Sequence, residues 1–406
     1  MNPDFDHDVI VIGGGPAGSS FARIAAGAGL DVLVVDKRKE IGVPVRCGEG
    51  LGSREVLAQG IDLPKNCIST EIHGAKVVAP NGKSILWKDD LTNGWVLERK
   101  FFDKWLCELA VDKGAKVQSY TRATELITEN GKPTGVKLSH GGREPYVVRA
   151  PLIVSAEGME SFMARAAGFK TVHSLYDVDT CYQYEMKPYD HENLIEIYFG
   201  ANIAPRGYAW IFPKSGKKAN VGIGVGGNLA NAKKNGNIDG ADPKQLLDKF
   251  IASNEKLKDS STLMDFGGVI SVGAPIDEFV KDNFMVIGTA AKQVDPIHGG
   301  GIALAMGSGI LAANTFIEAH KKKDFSKKSL FPYEKAWREK EGKSVASRLL
   351  LRKVLEKVND DDLNHIFNNM TYNDLNETMA GRFAGPIAKV VAGRPQLLKV
   401  LSALIS

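Results

Sequence analysis

Residues His7 to Arg38 read HDVIVIGGGPAGSSFARIAAGAGLDVLVVDKR. The β-branched run at residues 8–12 predicts a short buried strand, the glycines a tight turn, and the alanine-rich stretch to Gly29 a helix. Leu30 to Val35 predicts a second buried strand that ends in Asp36, which completes one βαβ unit. The glycines of Gly13-x-Gly15-x-x-Gly18 do different things: one turns the chain tightly, one lets backbone approach a pyrophosphate, one packs helix on strand. The helix N-terminus adds free N–H donors for phosphate. Asp36, about 20 residues on, is placed to bind ribose hydroxyls. The alternative is a glycine-rich turn with no ligand; the strand before it, the helix after it and the distal carboxylate favour a dinucleotide site.

Working outward, 406 residues exceed what one core usually organises, so a large nucleotide-binding domain with a smaller companion is expected. The net charge of +4, without Lys/Arg runs interleaved with aromatics, argues against nucleic acid. Cys47, Cys67, Cys107 and Cys181 are too far apart for a metal knuckle or redox pair, so free thiols and no metal are expected. The N-terminus does not resemble a signal peptide, and no apolar run reaches the ~18 to 20 residues of a membrane span, which predicts a cytoplasmic protein.

Gly42 to Gly52 is glycine-rich and irregular, and Phe101 to Lys113 has helical spacing. Short strands with turns at Asn130-Gly131 and Gly141-Gly142 follow, to a strand at Leu152 to Ser155. Thr180 to Gly227 alternates aromatic and polar residues and predicts an antiparallel sheet. Phe284 to Ile287, a glycine turn and a helix from Gly300 to Ala319 return the chain to the first domain. The expected fold is α/β: a discontinuous Rossmann-like domain at 1–172 and 265–325, an inserted antiparallel-sheet substrate domain at 173–264, and a C-terminal helical region at 326–406.

Four blocks then specify more than fold: Pro44-Val-Arg-Cys-Gly-Glu-Gly-Leu51; Val96-Leu-Glu-Arg99; Tyr208-x-Trp210-x-Phe212-Pro213 with Gly222-x-Gly224; and Pro296-Ile-His-Gly-Gly-Gly-Ile302. With them the chain resembles, over nearly its whole length, the geranylgeranyl reductase family of the superfamily that includes para-hydroxybenzoate hydroxylase. The resemblance implies FAD as cofactor. It implies contacts at Ala17, Asp36, Arg46, Cys47, Gly48, Gly50, Arg99, Ala123, Gly300, Gly301 and Ile302, beside Gly13, Gly15 and Gly18. Two positions depart from the family: Thr289 after Gly288, and Glu157 before Gly158, both where the family has Asp. Thr289 still offers a hydroxyl for the ribityl chain but no charge.

The resemblance also implies hydride transfer from reduced flavin to isoprenoid double bonds of archaeal lipid precursors, digeranylgeranylglycerophospholipid or geranylgeranyl diphosphate. Cys47 reads as the proton donor, since an ordinary thiol keeps its proton at neutral pH, or as a small packing residue. Tyr208, Trp210 and Phe212 share one side of a strand and suit an apolar slot for a prenyl chain, with Gly222 and Gly224 nearby; a sheet packing on its own core is the plainer reading. His298 reads as a loop residue near the flavin. The basic stretch Lys321 to Lys357, with Trp337, Val345, Leu349, Leu350 and Val354, is a solvated helix or a peripheral membrane contact. Two rivals remain: a monooxygenase or halogenase on the same scaffold, and a flavoprotein that carries electrons or lipid without chemistry. No second dinucleotide fingerprint is present, so the external electron donor is ferredoxin or a reduced nicotinamide.

Overall fold

A computed structural model of the chain describes residues 5–52, 60–88, 93–230, 241–395 and 397. The first unit is β1 (Val9–Ile12), α1 (Pro16–Gly27) and β2 (Val32–Val35), with every residue of both strands buried. Then come β3 (Gly50–Gly52), β4 (Ile68–His73), β5 (Ala75–Val78), β6 (Ser84–Trp87), β7 (Asn93–Leu97), α2 (Arg99–Val111), β8 (Lys116–Gln118), β9 (Thr121–Glu129), β10 (Lys132–His140), β11 (Tyr146–Arg149), β12 (Leu152–Ser155) and α3 (Phe162–Ala166). The second half holds β13 (Val178–Lys187), β14 (Ile195–Tyr198), β15 (Tyr208–Lys214), β16 (Lys218–Gly226), α4 (Pro243–Ser253), β17 (Ser261–Ser271), β18 (Val280–Lys281), β19 (Phe284–Val286) and α5 (Ile302–Lys322). The helices α6 (Lys327–Trp337), α7 (Lys343–Leu355), α8 (Asp360–Asn369), α9 (Tyr372–Met379) and α10 (Ala384–Ala392) follow.

The cofactor domain is a six-stranded sheet in the order β18-β19-β12-β1-β2-β8, parallel except at the β18 edge. Its central strands are apolar along both faces because both are covered. On one side α1 lies against α5 so closely that a Cβ on Gly309 would sit 2.2 Å from Ala17 O. The three-stranded antiparallel sheet β11-β10-β9 contributes Val136, Leu138 and Val148 to the same core. Among the described residues α5 is the one helix long and apolar enough to cross a membrane. The expectation that no run reaches that length is corrected here; Ala305, Met306, Ala312, Ala313 and Phe316 of α5 are buried in this protein's own interior.

The second sheet has seven strands in the order β17-β13-β16-β15-β14-β5-β6. It reaches beyond the expected span 173–264 at both ends: β5 and β6 join it through a parallel pairing of β5 with β14, and β17 continues to Ser271. A parallel partner more than a hundred residues away leaves no turn signal by which to find it. A third, small sheet, β3-β7-β4, places the residue before β3 beside the residue that starts α2. The basic C-terminal stretch is two helices, α6 and α7, with Trp337, Val345 and Val354 at 1 to 3% exposure, so its apolar face is turned into the protein, which fits the solvated-helix alternative. The end of the C-terminal region lies outside the described residues.

Candidate flavin and substrate site

Helix starts differ in how their first N–H groups are satisfied. α4, α6, α8 and α9 begin with a side chain that accepts from their first N–H groups: Asp242, Ser326, Asn359 and Thr371. α1 and α5, like α2, α7 and α10, begin without a side-chain cap; their N-cap residues are Gly15 and Gly301, which have no side chain to offer, so their first-turn donors are left for another partner. A Cβ on Gly13 would meet Ala156 O at 2.3 Å and one on Gly18 would meet Gly13 O at 1.9 Å, whereas one on Gly15 would meet nothing within 4 Å. The turn is closed on the protein side and open on the side of Gly15, where a pyrophosphate would fit. Asp36 Oδ2 accepts from the Gly14 N–H at 2.9 Å and Oδ1 from the Arg38 N–H at 2.8 Å, leaving lone pairs for ribose hydroxyls. Thr121 at the start of β9 donates its N–H to Asp36 O, which brings Ala123 to the same edge. The residues present fit FAD at its adenosine and pyrophosphate end.

The loop before β3 carries Arg46, exposed, and Cys47, half-buried. Its geometry is fixed from four directions. The Glu49 N–H donates to Cys47 Sγ (3.2 Å), Gln183 Nε2 to Cys47 O (3.3 Å), Asn220 Nδ2 to Gly48 O (3.2 Å), and the Arg99 N–H to Glu49 Oε1 (2.8 Å). Arg99 forks onto Asp103 at 2.6 to 3.0 Å, and Cys47 is among the groups that act on its guanidinium. Burial acts to lower the pKa of this guanidinium, but Asp103 and Cys47 outweigh it and the pKa is raised. Arg99 therefore stays charged next to the thiol. Burial pushes Cys67 up to about 11 and Cys107 up to about 12, and raises Cys181 as well. Cys107 packs under the first glycine turn, 3.3 Å from Gly14 O.

Directly opposed residues of a ladder share a face, so the pairing of β15, β16, β13 and β17 sets out the inner face of the large sheet in rows. One row is Tyr208, Gly224, Cys181, Gly268; the next Trp210, Gly222, Gln183, Phe266; the third Phe212, Asn220, Glu185, Met264. The aromatic stripe is thus on one face, as expected, with ring centroids 5.8 Å apart between Tyr208 and Trp210 and 6.3 Å between Trp210 and Phe212. The register explains Gly222: the Trp210 ring occupies the space where a Gly222 side chain would be, 2.3 Å from its Cβ position. The stripe also meets the Cys47 loop, since a Cβ on Gly48 or on Gly50 would lie 3.0 Å from Phe212 Cε2. Trp210 Nε1 donates to Gln183 Oε1 at 2.9 Å, so one side chain links the indole to the Cys47 carbonyl.

The last block closes the cleft from the opposite side. Gly288 (φ +63) sits against Ala17, whose Cβ lies 2.8 Å from where a Gly288 side chain would begin, and half-buried Thr289 follows beside Gly301. Tyr208 Oη donates to His298 O at 2.6 Å, tying the stripe to this loop. Asp295 is buried and accepts from the Ile297 N–H (2.8 Å), His298 Nε2 (3.3 Å) and Arg348. Burial acts to raise its pKa, but His298, Arg348 and the Ile297 N–H hold it well below the usual carboxylate range. Arg352 of α7 donates to Pro296 O (3.1 Å) and Asp179 (2.7 Å), so α7 clamps the loop against the large sheet. Glu157 is occupied elsewhere: Oε2 accepts from Ser155 Oγ (2.7 Å) and from the Met163 N–H (2.9 Å), which anchors the start of α3.

Sequence reading missed Glu49, Gln183, Lys214, Asn220, Asp295 and Arg352. A signal existed for two. Lys214 continues the parity of Tyr208, Trp210 and Phe212 along one strand, and Asn220 has the parity of Gly222 and Gly224 along the next.

Residues 8–193 match the FAD dependent oxidoreductase family and residues 177–270 the geranylgeranyl reductase catalytic domain. A digeranylgeranylglycerophospholipid reductase of Methanococcoides burtonii is 39% identical over 366 residues, 89% of this chain and 87% of its own. One from Methanoculleus marisnigri is 37% identical over 404 residues, 98% of each chain. The crystal structure of a geranylgeranyl bacteriochlorophyll reductase-like protein from Thermoplasma acidophilum is similar with a TM-score of 0.88 at 34% identity, covering 98% of this chain and 99% of that one. A flavin-dependent brominase matches with a TM-score of 0.72 at 18% identity, a likeness of fold alone. The FAD cradle, the aromatic stripe against the Cys47 loop and relatives that align over nearly the full length agree: the chain belongs to the digeranylgeranylglycerophospholipid reductase family of FAD-dependent oxidoreductases.

Proposed function

We propose that the protein saturates isoprenoid carbon–carbon double bonds of digeranylgeranylglycerophospholipid or a close prenyl precursor. The observation that carries this reading is the contact between Phe212 and both Gly48 and Gly50, which puts an aromatic wall directly against the loop that bears Cys47. FAD, once reduced, supplies the hydride. The protein supplies position, dryness and a proton. The uncapped starts of α1 and α5 hold phosphate and the cofactor's polar edge, and Asp36 holds ribose. Tyr208, Trp210 and Phe212 face the prenyl chain and exclude water; burial raises the Tyr208 pKa, so its hydroxyl remains a donor to His298 O. An isolated alkene is a poor electrophile, so orientation contributes much of the rate. Cys47 Sγ delivers its proton to the alkene carbon, and the fixed positive charge of Arg99 stabilises the sulfur left behind.

The reductant is an external donor, ferredoxin or a reduced nicotinamide. Access to a membrane-held substrate uses exposed apolar side chains near the β17 edge, among them Val172, Leu175, Tyr176 and Val269 at 50 to 73% exposure, in place of the basic stretch. Failure of the protein to float with anionic liposomes at low salt would remove this membrane contact.

The deciding experiment is anaerobic incubation of the yellow protein with dithionite and digeranylgeranylglycerophospholipid, followed by lipid mass spectrometry. A gain of about two mass units per reduced bond is expected; a reduced flavin with unchanged lipid overturns the reading. Cys47→Ala is expected to keep its FAD spectrum and lose ~10² or more of turnover. Full turnover in that variant removes Cys47 from the chemistry.

A further inference from the structure

One buried cation has no part in the chemistry above. Lys214 Nζ lies 2.7 Å from Glu49 Oε2, 3.1 Å from Glu98 Oε1 and 3.5 Å from Glu185 Oε2, with its side chain 3% exposed. Lys218, directly opposite in the β15–β16 ladder, reaches Glu185 at 3.2 Å. Lysine is almost never fully buried unless paired. Burial acts to lower the Lys214 pKa, but Glu49 and Glu98 outweigh it and the pKa is raised, so the ammonium remains charged.

Glu49 supplies the reason for this burial. Its φ is +73, the left-handed region that non-glycine residues avoid, and it lies between two glycines that have no side chain with which to anchor the loop. The conformation is imposed through the carboxylate. Oε1 accepts from the Arg99 N–H at 2.8 Å, and Oε2 from Lys214 at 2.7 Å and Asn220 Nδ2 at 2.8 Å. At the other end of the same residue the N–H donates to Cys47 Sγ, and the carbonyl accepts from the Leu97 N–H at 2.8 Å. The peptide that orients the thiol therefore belongs to the residue whose side chain Lys214 holds, and Lys214 comes from the sheet that carries the aromatic stripe.

We propose that Lys214 is a positioning residue for Cys47: by holding Glu49 in its left-handed conformation it registers the thiol against the slot lined by Trp210 and Phe212. The inference rests on Cys47 as proton donor. It joins the two domains at the atom where their relative placement matters most.

The test is a double-mutant cycle in the FAD-loaded, full-length protein, with dithionite as reductant and digeranylgeranylglycerophospholipid in detergent as substrate. Lys214→Met is expected to keep the bound-flavin spectrum and a KM within about twofold of wild type, while kcat falls ~10-fold or more, because a small misplacement of a reacting group has effects of that size. Lys214→Arg is expected to recover most of the loss. In the Cys47→Ala background, followed by long incubations, Lys214→Met is expected to cause no further fall, since two residues acting through one proton are not additive. An unchanged kcat in Lys214→Met overturns the proposal. So does a fall of the same factor in both backgrounds, which is the signature of general structural damage. Should Lys214→Met fail to fold or to hold FAD, the pair Glu49→Gln with Lys214→Gln, which removes both charges together, carries the same comparison. A wild type that forms no saturated lipid overturns the parent function, whereas an active wild type with a fully active Cys47→Ala overturns only the proton-donor role and this inference with it.

Discussion

His173 shows what burial does to a single residue in this protein. Its Nδ1 is buried without a hydrogen-bond partner among the described residues, and burial, assisted by the charge of Lys292, brings its pKa down from 6.5 to about 4. The unfolded chain takes up this proton near pH ~6.5 and the folded chain only near pH 4, so between those values the unfolded state binds more protons. Stability contributed by neutral His173 is complete above pH ~6.5 and is lost as pH falls toward 4. Thermal melts should therefore drop between pH 7 and pH 5, and His173→Gln should shrink that drop. An identical drop in wild type and variant would falsify the assignment. The site residues divide by the same local logic. Gly13, Gly15, Gly18 and Asp36 were legible because their spacing is a property of one βαβ unit. Glu49 was in plain view inside a glycine-rich loop, but its partner Lys214 lies 165 residues away, a distance no local pattern spans.

At the scale of elements, the register of β15 against β16 separates two glycines that look equivalent in sequence. A methyl group on Gly222 would enter the Trp210 ring at 2.3 Å, whereas one on Gly224 meets nothing nearer than Cys181 Sγ at 3.4 Å. Gly222→Ala should cost roughly 1–3 kcal/mol in urea unfolding and most of the lipid turnover, with FAD retained. Gly224→Ala should be near neutral in stability. Equal behaviour of the two variants would show that Trp210 is not seated as described. The alternation of Tyr208, Trp210 and Phe212 announced the strand and its apolar face, because period-two patterning is a property of the strand itself. Which strand lay opposite, and so why a glycine stands at 222, depended on a ladder set only when β13, β16 and β15 pair. The basic stretch was read two ways for the converse reason: α6 and α7 have a helical apolar stripe, but periodicity does not say whether lipid or protein covers it, and here Trp337 and Val354 face protein.

Across the whole molecule, the cofactor cleft is assembled from remote segments. Arg352 holds Asp179 of the large sheet at 2.7 Å and Pro296 O of the flavin-side loop at 3.1 Å, while Arg206 O accepts from the same guanidinium at 3.2 Å. Burial raises the Asp179 pKa even with Arg352 beside it. Removal of the arginine leaves a buried carboxyl without its counter-charge. Arg352→Ala should destabilise by roughly 3–5 kcal/mol in guanidinium unfolding and release FAD at a lower temperature than wild type. Retention of FAD up to the wild-type temperature would mean that α7 does not hold the loop. The return of the chain to the first sheet at Phe284 was readable, because a second short buried run followed by a glycine turn is a local pattern. The share of the large sheet taken by β5, β6 and β17 was not, since these strands are recruited by pairing across the fold.

The clamp by α7 also sets an order of assembly. A chain leaving the ribosome folds from its N-terminal end, and the βαβ unit at its start has its phosphate turn ready early. β12 and β19, which complete that sheet, arrive only with residues 152–155 and 284–286, and the arginines that secure the loop at Asp295 and Pro296 arrive later still, at Arg348 and Arg352. A chain cut short before α7 is therefore expected to complete its cofactor sheet but to be recovered colourless.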